Sequence, residues 1–417
     1  MRCLRATLWL PLAVVLAVPA VRQMFPSSKT AAPKEAPQTE RSEAKGAGSV
    51  RIALPDATLQ PFQAELLELA FDGASALPLE PHVKNRSRLQ HQVVTASIEL
   101  EQPQRALRFA EALVGWRRGA AYGELAQCCA KLGDSQAARE LTARARDVAD
   151  HLEGEEVQDW QIERIQAKAA EAELALHQDQ AARASETSAA TDDGSGFDAE
   201  WSALEPALAA VDFEQLRQAL RDCAALLDRN DANVEQRGVV EARMRAAWKP
   251  MPDQVRVEAA TLLSESALAH GDREHALALQ DEMLEWIEQA SSMPDGYVQM
   301  LARWARLRHR SGDAAGAQRA AEKAWNAYTA GRERILDIDR ADALLPLAET
   351  WHALGDGARA LSLDALALEE GQRNPNSRPR VEDLTAICLS LATQAIEPDA
   401  HLLESLRAAR KALGAPW

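Results

Sequence analysis

Residues 304–325 read WARLRHRSGDAAGAQRAAEKAW and contain the motif that decides the fold. The motif is Gly-Asp, three free residues and then Ala, with an apolar helical run on each side. Its copies are Gly133-Asp134 with Ala138, Gly271-Asp272 with Ala276, Gly312-Asp313 with Ala317, and Gly355-Asp356 with Ala360. The last three aspartates are 41 and 43 residues apart, and a period of this length is typical of stacked helical hairpins.

The Gly-Asp pair is chemically suited to joining two helices. Glycine adopts the left-handed conformation that closes a helix without a steric penalty, and an aspartate directly after it can cap the next helix. So short a connection forces the two helices to pack antiparallel. The alanine four residues after the aspartate then lies where the helices cross, and a larger side chain there would push them apart.

Degenerate copies of the turn extend this register along the chain. They are found at Gln102-Pro103, Gln178-Asp179, Asn230-Asp231 and Pro398-Asp399. The last two keep the spacing of 41 and 43 residues to the nearest Gly-Asp copy. In the less regular N-terminal half, the Gln178-Asp179 turn predicts separate helices at 156–177 and 180–190.

Composition predicts an all-α protein. Ala, Leu, Glu, Gln and Arg dominate, and these residues lose little rotamer freedom in a helix. Aromatic residues make up only 5% of the 417 residues, and no long run alternates apolar and polar side chains as a strand would. We therefore expect paired helices from about residue 59 to 413, interrupted by TDDGSG at 191–196.

Net charge argues against a nucleic-acid partner. The first 50 residues carry seven basic and three acidic side chains, a balance of +4, and the whole chain carries −16. The remaining 367 residues therefore carry −20. Such a body would be repelled by polyphosphate and by anionic lipid, so we expect no DNA or RNA binding.

Residues 1–22 have the pattern of an export signal. A basic segment, Met1–Arg5, precedes the apolar stretch Leu8–Val18, and Val18-Pro19-Ala20 ends in the small residue that signal peptidase recognises. The apolar span is shorter than the roughly 20 residues that cross a bilayer, which favours a cleaved signal peptide. Membrane attachment through residues 4–21 remains the alternative. Either reading predicts export to the periplasm or another extracytoplasmic space.

Four further segments follow the leader. Residues 23–50 are rich in Pro, Ala, Lys and Glu with almost nothing to bury, which predicts a disordered linker. We expect less regular hairpins over 51–190, a break at 191–200 and regular repeats over 201–417.

Four cysteines remain after the leader, and all lie in apolar helical contexts. They are Cys128, Cys129, Cys223 and Cys388. The adjacent pair cannot easily bridge, because side chains of successive helical residues diverge by about 100°. We expect small buried thiols, with one long-range disulfide as the alternative.

The repeats resemble tetratricopeptide-type hairpins. In each copy a small residue stands seven positions before the glycine, and in three of four copies a second Ala follows the first by seven. These residues are Ala126, Ser264, Ala305 and Ala348 before the turn, and Ala145, Ala324 and Ala367 after it, with Met283 in the fourth copy. The period of 41–45 residues exceeds the family's 34, and the closing Pro is absent. The resemblance covers about residues 85–413 and implies a right-handed α-α superhelix.

The same resemblance implies that the first helix of each hairpin faces a concave, peptide-binding groove. Carried over by position, the groove residues are Gln127, Lys131, Glu265, Arg306, His309, Arg310, Glu349 and His352. His309 and His352 are equivalent in successive repeats, so we expect them near each other. Arg306 or Arg310 is expected to bind a partner's carboxylate. The alternative is an ordinary solvated helix face.

The sequence carries no catalytic or metal-binding signature. It has no Gly-rich phosphate loop, no Gly-x-Ser-x-Gly, no His-Glu-x-x-His and no Cys-x-x-Cys. We therefore expect neither a cofactor nor a metal ion. Most tryptophans sit beside apolar helical neighbours, which favours packing between hairpins over a stacking surface for carbohydrate or peptide.

The leading hypothesis is an exported, non-catalytic scaffold that binds a protein or peptide partner, since stacked hairpins leave extended surfaces. One alternative is a carbohydrate-active enzyme of the (α/α) toroid type, which a closed array of hairpins with a carboxylate-lined cavity would favour. Another is an envelope assembly factor that is anchored to the membrane.

Overall fold

The computed structural model describes residues 50–152, 157–185, 195–209, 213–229, 233–290 and 293–417. All regular secondary structure in these ranges is helical, as the composition predicts. Residues Val50–Trp417 form one compact unit. The predicted leader and nearly all of the linker therefore lie outside the described residues.

Seventeen α-helices span the described residues. The first eight are α1 (Pro61–Ala76), α2 (Leu79–Glu99), α3 (Pro103–Glu111), α4 (Trp116–Lys131), α5 (Ser135–Asp150), α6 (Asp159–Ser185), α7 (Ser195–Leu204) and α8 (Phe213–Arg229). The others are α9 (Val234–Trp248), α10 (Asp253–Ala269), α11 (Arg273–Gln289), α12 (Pro294–Arg310), α13 (Ala314–Gly331), α14 (Arg340–Ala353), α15 (Gly357–Gln372), α16 (Ser377–Thr393) and α17 (Ala400–Lys411).

The four Gly-Asp pairs form the tight turns that the sequence predicts. Their glycines are left-handed, with φ of 89° at Gly133, 80° at Gly271, and 85° at Gly312 and Gly355. In each turn the aspartate amide donates to the carbonyl five residues back, at 2.8 to 2.9 Å, which closes the first helix. The turns join α4 to α5, α10 to α11, α12 to α13 and α14 to α15.

The aspartates of these turns cap the following helices. Each carboxylate accepts a hydrogen bond from the amide three residues later, at 2.8 to 3.1 Å. The capping residues are Asp134, Asp272, Asp313 and Asp356. The alanines four residues further on are fully buried, which agrees with a place at the helix crossing.

The degenerate turns differ from the predictions in detail. Helix α6 continues through Gln178-Asp179 to Ser185, so the predicted turn and the separate helices there are wrong. Between α2 and α3 the left-handed residue is Glu101, and before α17 it is Ala395 rather than Pro398. Asp399 nevertheless caps α17 through the Leu402 amide at 2.7 Å. Asn230-Asp231 lies outside the described residues.

Consecutive helices pack as stacked hairpins. We call α2, α4, α6, α8, α10, α12, α14 and α16 the first helices. Within this set, α2 contacts α4, α4 contacts α6, and α8 through α16 contact one another in succession. A hydrogen bond from Arg164 Nη2 to Gln218 Oε1, at 3.3 Å, joins α6 to α8. The described part of the chain is thus an all-helical repeat solenoid with one large hydrophobic core and a small second cluster.

The two ends of this unit pack against each other. Helix α1 lies along α16, and α2 also contacts α16. The buried Gln63 donates from Nε2 to the Ala392 carbonyl at 2.8 Å, and Arg407 of α17 pairs with Glu65 of α1 at 2.6 Å. Helix α1 therefore packs beside α16 in the position that the second helix of a hairpin would occupy. The succession of first helices thus closes on itself.

The cysteines agree with the first of the two expectations. Cys129, Cys223 and Cys388 are buried, Cys128 is half-buried, and all four are free thiols. Burial raises the pKa of each thiol, to about 12 for Cys129 and Cys223. None of the described helices is long and apolar enough to cross a membrane.

Candidate interaction surface

All eight residues predicted to line a groove lie on first helices. Gln127 and Lys131 are on α4, and Glu265 is on α10. The other five, on α12 and α14, are Arg306, His309, Arg310, Glu349 and His352.

Four of these eight residues are joined by ion pairs between neighbouring first helices. Arg310 Nη1 lies 2.5 Å from Glu265 Oε1, which links α12 to α10. Arg306 pairs with Glu349 of α14, and Ser390 of α16 donates to the same carboxylate at 3.3 Å. These side chains are partly exposed. A partner's carboxylate would therefore have to compete with Glu265 or Glu349 for the two arginines.

The other four residues are not joined in this way. Gln127 is half-buried and Lys131 is exposed on α4. His309 and His352 are both half-buried, and no hydrogen bond joins them in the described part of the structure. The Nδ1 atom of His309 is buried without a hydrogen-bond partner among the described residues.

Similar polar contacts join first helices elsewhere in the unit. They are His91–Glu124 between α2 and α4 at 3.0 Å, Arg217–Glu258 between α8 and α10 at 3.3 Å, and Arg88–Glu382 between α2 and α16 at 2.8 Å. The first helices thus share a face of paired charges. The sequence could place these residues on helices but could not pair them.

Helices α4 and α6 approach each other closely because α4 carries two glycines on the contact face. A Cβ atom on Gly119 would lie 2.9 Å from Ile165, and one on Gly123 would lie 2.6 Å from the Lys168 side chain and 3.0 Å from its backbone. The close approach also brings together the N-terminal ends of the two helices.

An aromatic pair with a guanidinium lies at these ends. The rings of Trp116 and Trp160 meet edge to face, with centroids 5.1 Å apart and planes at 75°. The Arg117 guanidinium lies over the Trp116 ring, 4.4 Å from its centroid. Trp160 is 44% exposed. We call Trp116, Arg117 and Trp160 the Trp–Arg cluster.

Arg117 is surrounded by more positive than negative charge. Burial, and then the neighbouring charges of Arg88 and Arg164, lower the pKa of Arg117 to about 10, while Glu124 opposes them. Among the described residues no carboxylate lies within ion-pair distance of Arg117, although most partly buried arginines of the first helices have one. Sequence reasoning missed this residue because its neighbours come from α2 and α6.

Two carboxyls on α2 and α4, Glu99 and Glu124, have opposite pKa shifts. Partial desolvation and then the charge of Glu124 raise the pKa of Glu99, although the residue as a whole is exposed. Burial disfavours the charged form of Glu124 and tends to raise its pKa. The hydrogen bond and charge of His91, together with the charges of Lys168 and Arg164, outweigh burial and hold the pKa of Glu124 below its usual value. Thr95 donates to Glu124 Oε2 at 3.3 Å.

Two further carboxyls are buried without adequate partners. Both oxygens of Asp364, on α15, and Oδ2 of Asp383, on α16, lack hydrogen-bond partners in the described structure. Burial, followed by the charge of Glu349, raises the pKa of Asp364 to about 7. Burial, followed by Glu382 and two more acids, raises the pKa of Asp383 to about 8. These groups can titrate near neutral pH.

An open groove of about 860 Å³ lies between α15 and α17. Its walls are mainly small and apolar, with Leu366, Leu402 and Ala408 among them, and His401 and Glu369 also line it. Within the described residues, no group of three or more His, Cys, Asp or Glu side chains could hold a metal ion.

Comparison with protein-family models gives no match to this sequence, and comparison with curated proteins gives none either. The repeat architecture therefore rests on the turns, caps and helix contacts described above.

Proposed function

We propose that this chain is an exported, non-catalytic scaffold of tetratricopeptide-like repeats that binds a partner protein or peptide. The binding surface is the shared face of the first helices, where the resemblance places the concave groove. The observation that carries the proposal is the row of partly exposed ion pairs, Glu265–Arg310 and Arg306–Glu349, across α10, α12 and α14. Stacking leaves such faces as an extended, mixed-charge surface.

Charge reversal tests this surface. Affinity capture from the native envelope, with the leader intact, would compare wild type with the Arg306→Glu/Arg310→Glu variant. We expect the variant to lose the captured partner. It replaces both arginines with glutamates, which would repel the partner's carboxylates. Undiminished capture would contradict the proposal.

The variant also breaks the two intramolecular pairs, so a second variant serves as the control. Adding Glu265→Arg and Glu349→Arg restores both pairs with their directions reversed. If the partner binds this surface through the two arginines, capture should stay lost in this four-fold variant. Recovery of capture would show that the arginines act only by holding the helices together.

Export is part of the proposal and has its own test. The leader pattern in residues 1–22 supports it, and the mass of the mature protein distinguishes the two forms of export. Loss of residues 1–20 would exclude the membrane anchor. Retention of the leader on a protein recovered from the membrane fraction would favour the anchored assembly factor.

The contact between α1 and α16 favours a second candidate, a carbohydrate-active enzyme of the (α/α) toroid type. Such enzymes use two carboxyls with different proton affinities, and Glu99 and Glu124 have opposite pKa shifts. The test is release of new sugar ends from acidic and neutral polysaccharides. Cleavage that Glu124→Gln abolishes would support this candidate, and absence of cleavage of any substrate would exclude it for those substrates.

A further inference from the structure

Arg117 differs from the arginines on which the sequence prediction rested. Arg306 and Arg310 each have an intramolecular carboxylate, whereas Arg117 has none within ion-pair distance in the described structure. Arg117 is also half-buried beside the charges of Arg88 and Arg164. Arg88 is paired with Glu382 and Arg164 donates to Gln218, so Arg117 is the member of the three with no hydrogen-bonded side chain among the described residues. An anion beside Arg117 would offset both its burial and the repulsion from its neighbours.

The surroundings of Arg117 restrict what kind of anion fits. One face of Trp116 is already covered by the Arg117 guanidinium. Trp160 meets Trp116 edge to face and remains 44% exposed. Arg117 and Trp160 both contact Trp116, so a ligand that pairs with Arg117 and extends across Trp116 reaches the exposed indole of Trp160, which favours a flat or ring-shaped apolar face.

We propose that the Trp–Arg cluster binds a sugar ring that carries a carboxylate, such as a uronic-acid unit of an acidic oligosaccharide. The carboxylate accepts hydrogen bonds from the Arg117 guanidinium, and the C–H face of the ring packs on Trp160. A uronic acid holds both features on one rigid ring. An acidic peptide side chain supplies the carboxylate but no face for the indole.

The geometry of the site is built into the fold. Trp116 and Arg117 occupy the first two positions of α4, and Trp160 and Arg164 lie one turn apart at the start of α6. The close packing at Gly119 and Gly123 fixes the distance between the two helices. The site requires no movement to form, and it does not depend on the protein-binding surface of α10, α12 and α14.

Binding of oligogalacturonate to the full-length protein, measured by calorimetry at low salt, tests the proposal. We expect saturable binding that weakens as salt rises. Arg117→Gln should bind about 10- to 100-fold more weakly, because a charge-assisted hydrogen bond is lost. Trp160→Leu should bind roughly 3- to 10-fold more weakly because the stacking face is lost. The neutral galactose oligomer of equal length should not bind.

Arg359→Gln is the matched control. The Arg359 guanidinium also lies over an indole, 3.7 Å from the Trp351 ring centroid, but it belongs to another part of the solenoid. We expect this variant to bind like wild type. Arg117→Lys, which keeps the positive charge, should retain more affinity than Arg117→Gln, and thermal unfolding of each free variant shows whether it is folded.

Three results would overturn the proposal. One is no binding of oligogalacturonate, and another is equal binding by wild type and a folded Arg117→Gln variant. The third is equal or tighter binding of a glutamate oligopeptide, which would assign the site to a peptide instead. Loss of partner capture in the Arg306→Glu/Arg310→Glu variant is independent of all three results.

Discussion

At the scale of single residues, the Gly-Asp turn depends on one backbone conformation. Gly355 has φ of 85°, whereas Gly357, two residues later, is the first residue of α15. A Cβ added at either position would meet no atom within 4 Å. Alanine substitutions at the two glycines therefore differ in conformational strain alone, because neither creates a steric contact.

We predict that Gly355→Ala costs about 1–2 kcal/mol in the free energy of unfolding, because alanine is strained in the left-handed region. Gly357→Ala should be neutral or stabilise by up to about 1 kcal/mol, because it only restricts the unfolded chain. Urea unfolding of both variants measures the difference. Equal effects would show that the left-handed glycine does not set the turn.

The buried carboxyl of Asp364 predicts a dependence of stability on pH. Its folded pKa of about 7 exceeds the unfolded value of about 3.9, so the folded state binds more protons between these values. Stability should therefore fall as pH rises from about 4 through 7. Asp364→Asn removes this titration, and its advantage over wild type should grow across that window to the order of a few kcal/mol. A constant difference from pH 4 to 8 would contradict the assignment.

The sequence was sufficient to predict residues whose structural role depends only on their neighbours in the chain. Gly133 and Asp134 form a turn and cap because a helix end needs little beyond its own few residues. The left-handed Glu101 and Ala395 carried no such signal, since neither residue type favours that conformation. The position of Arg117 among other charges was not predictable either, because it depends on contacts with α2 and α6.

At the scale of elements, the sequence prediction failed where the turn signal lacked glycine. Gln178-Asp179 fits the repeat spacing, but neither residue prevents a helix from continuing, and Ala-rich and Glu-rich flanks favour one. Helix α6 accordingly runs from Asp159 to Ser185.

The packing of α4 on α6 gives a prediction at the same scale. A Cβ on Gly123 would lie 3.0 Å from the Lys168 backbone carbon, which cannot move without separating the helices. We expect Gly123→Ala to cost about 1–3 kcal/mol in the free energy of unfolding. Thermal or urea unfolding measures it, and a stabilising effect would contradict the close packing.

Gly238→Ala is the matched control for this variant. Gly238 also lies inside a helix, α9, but its Cβ would meet nothing within 4 Å. Alanine there should stabilise by about 0.5–1 kcal/mol, because glycine is a poor helix former. If the two substitutions change the free energy of unfolding in opposite directions, the effect of helix propensity is distinguished from the effect of contact between helices.

At the scale of the whole unit, the closure is the feature that the sequence could not reveal. Helix α1 packs beside α16, more than 300 residues away in the chain. Local spacing predicts which helices are consecutive neighbours, but it contains no signal for a contact between the two ends. The fold class was therefore predictable from the turns, whereas the partner of α16 was not.

The separation of α1 and α17 tests the closure most directly. Glu65 and Arg407 form an ion pair at 2.6 Å, so spin labels on cysteines at these positions should report one short distance. Cys128→Ser would remove the native thiol that is only half-buried, and Cys3→Ser would remove the cysteine of the leader. An open solenoid with neighbouring first helices 8–10 Å apart would separate the ends by roughly 60 Å. A short distance is the predicted result, and a distance near the larger value would contradict the closed array.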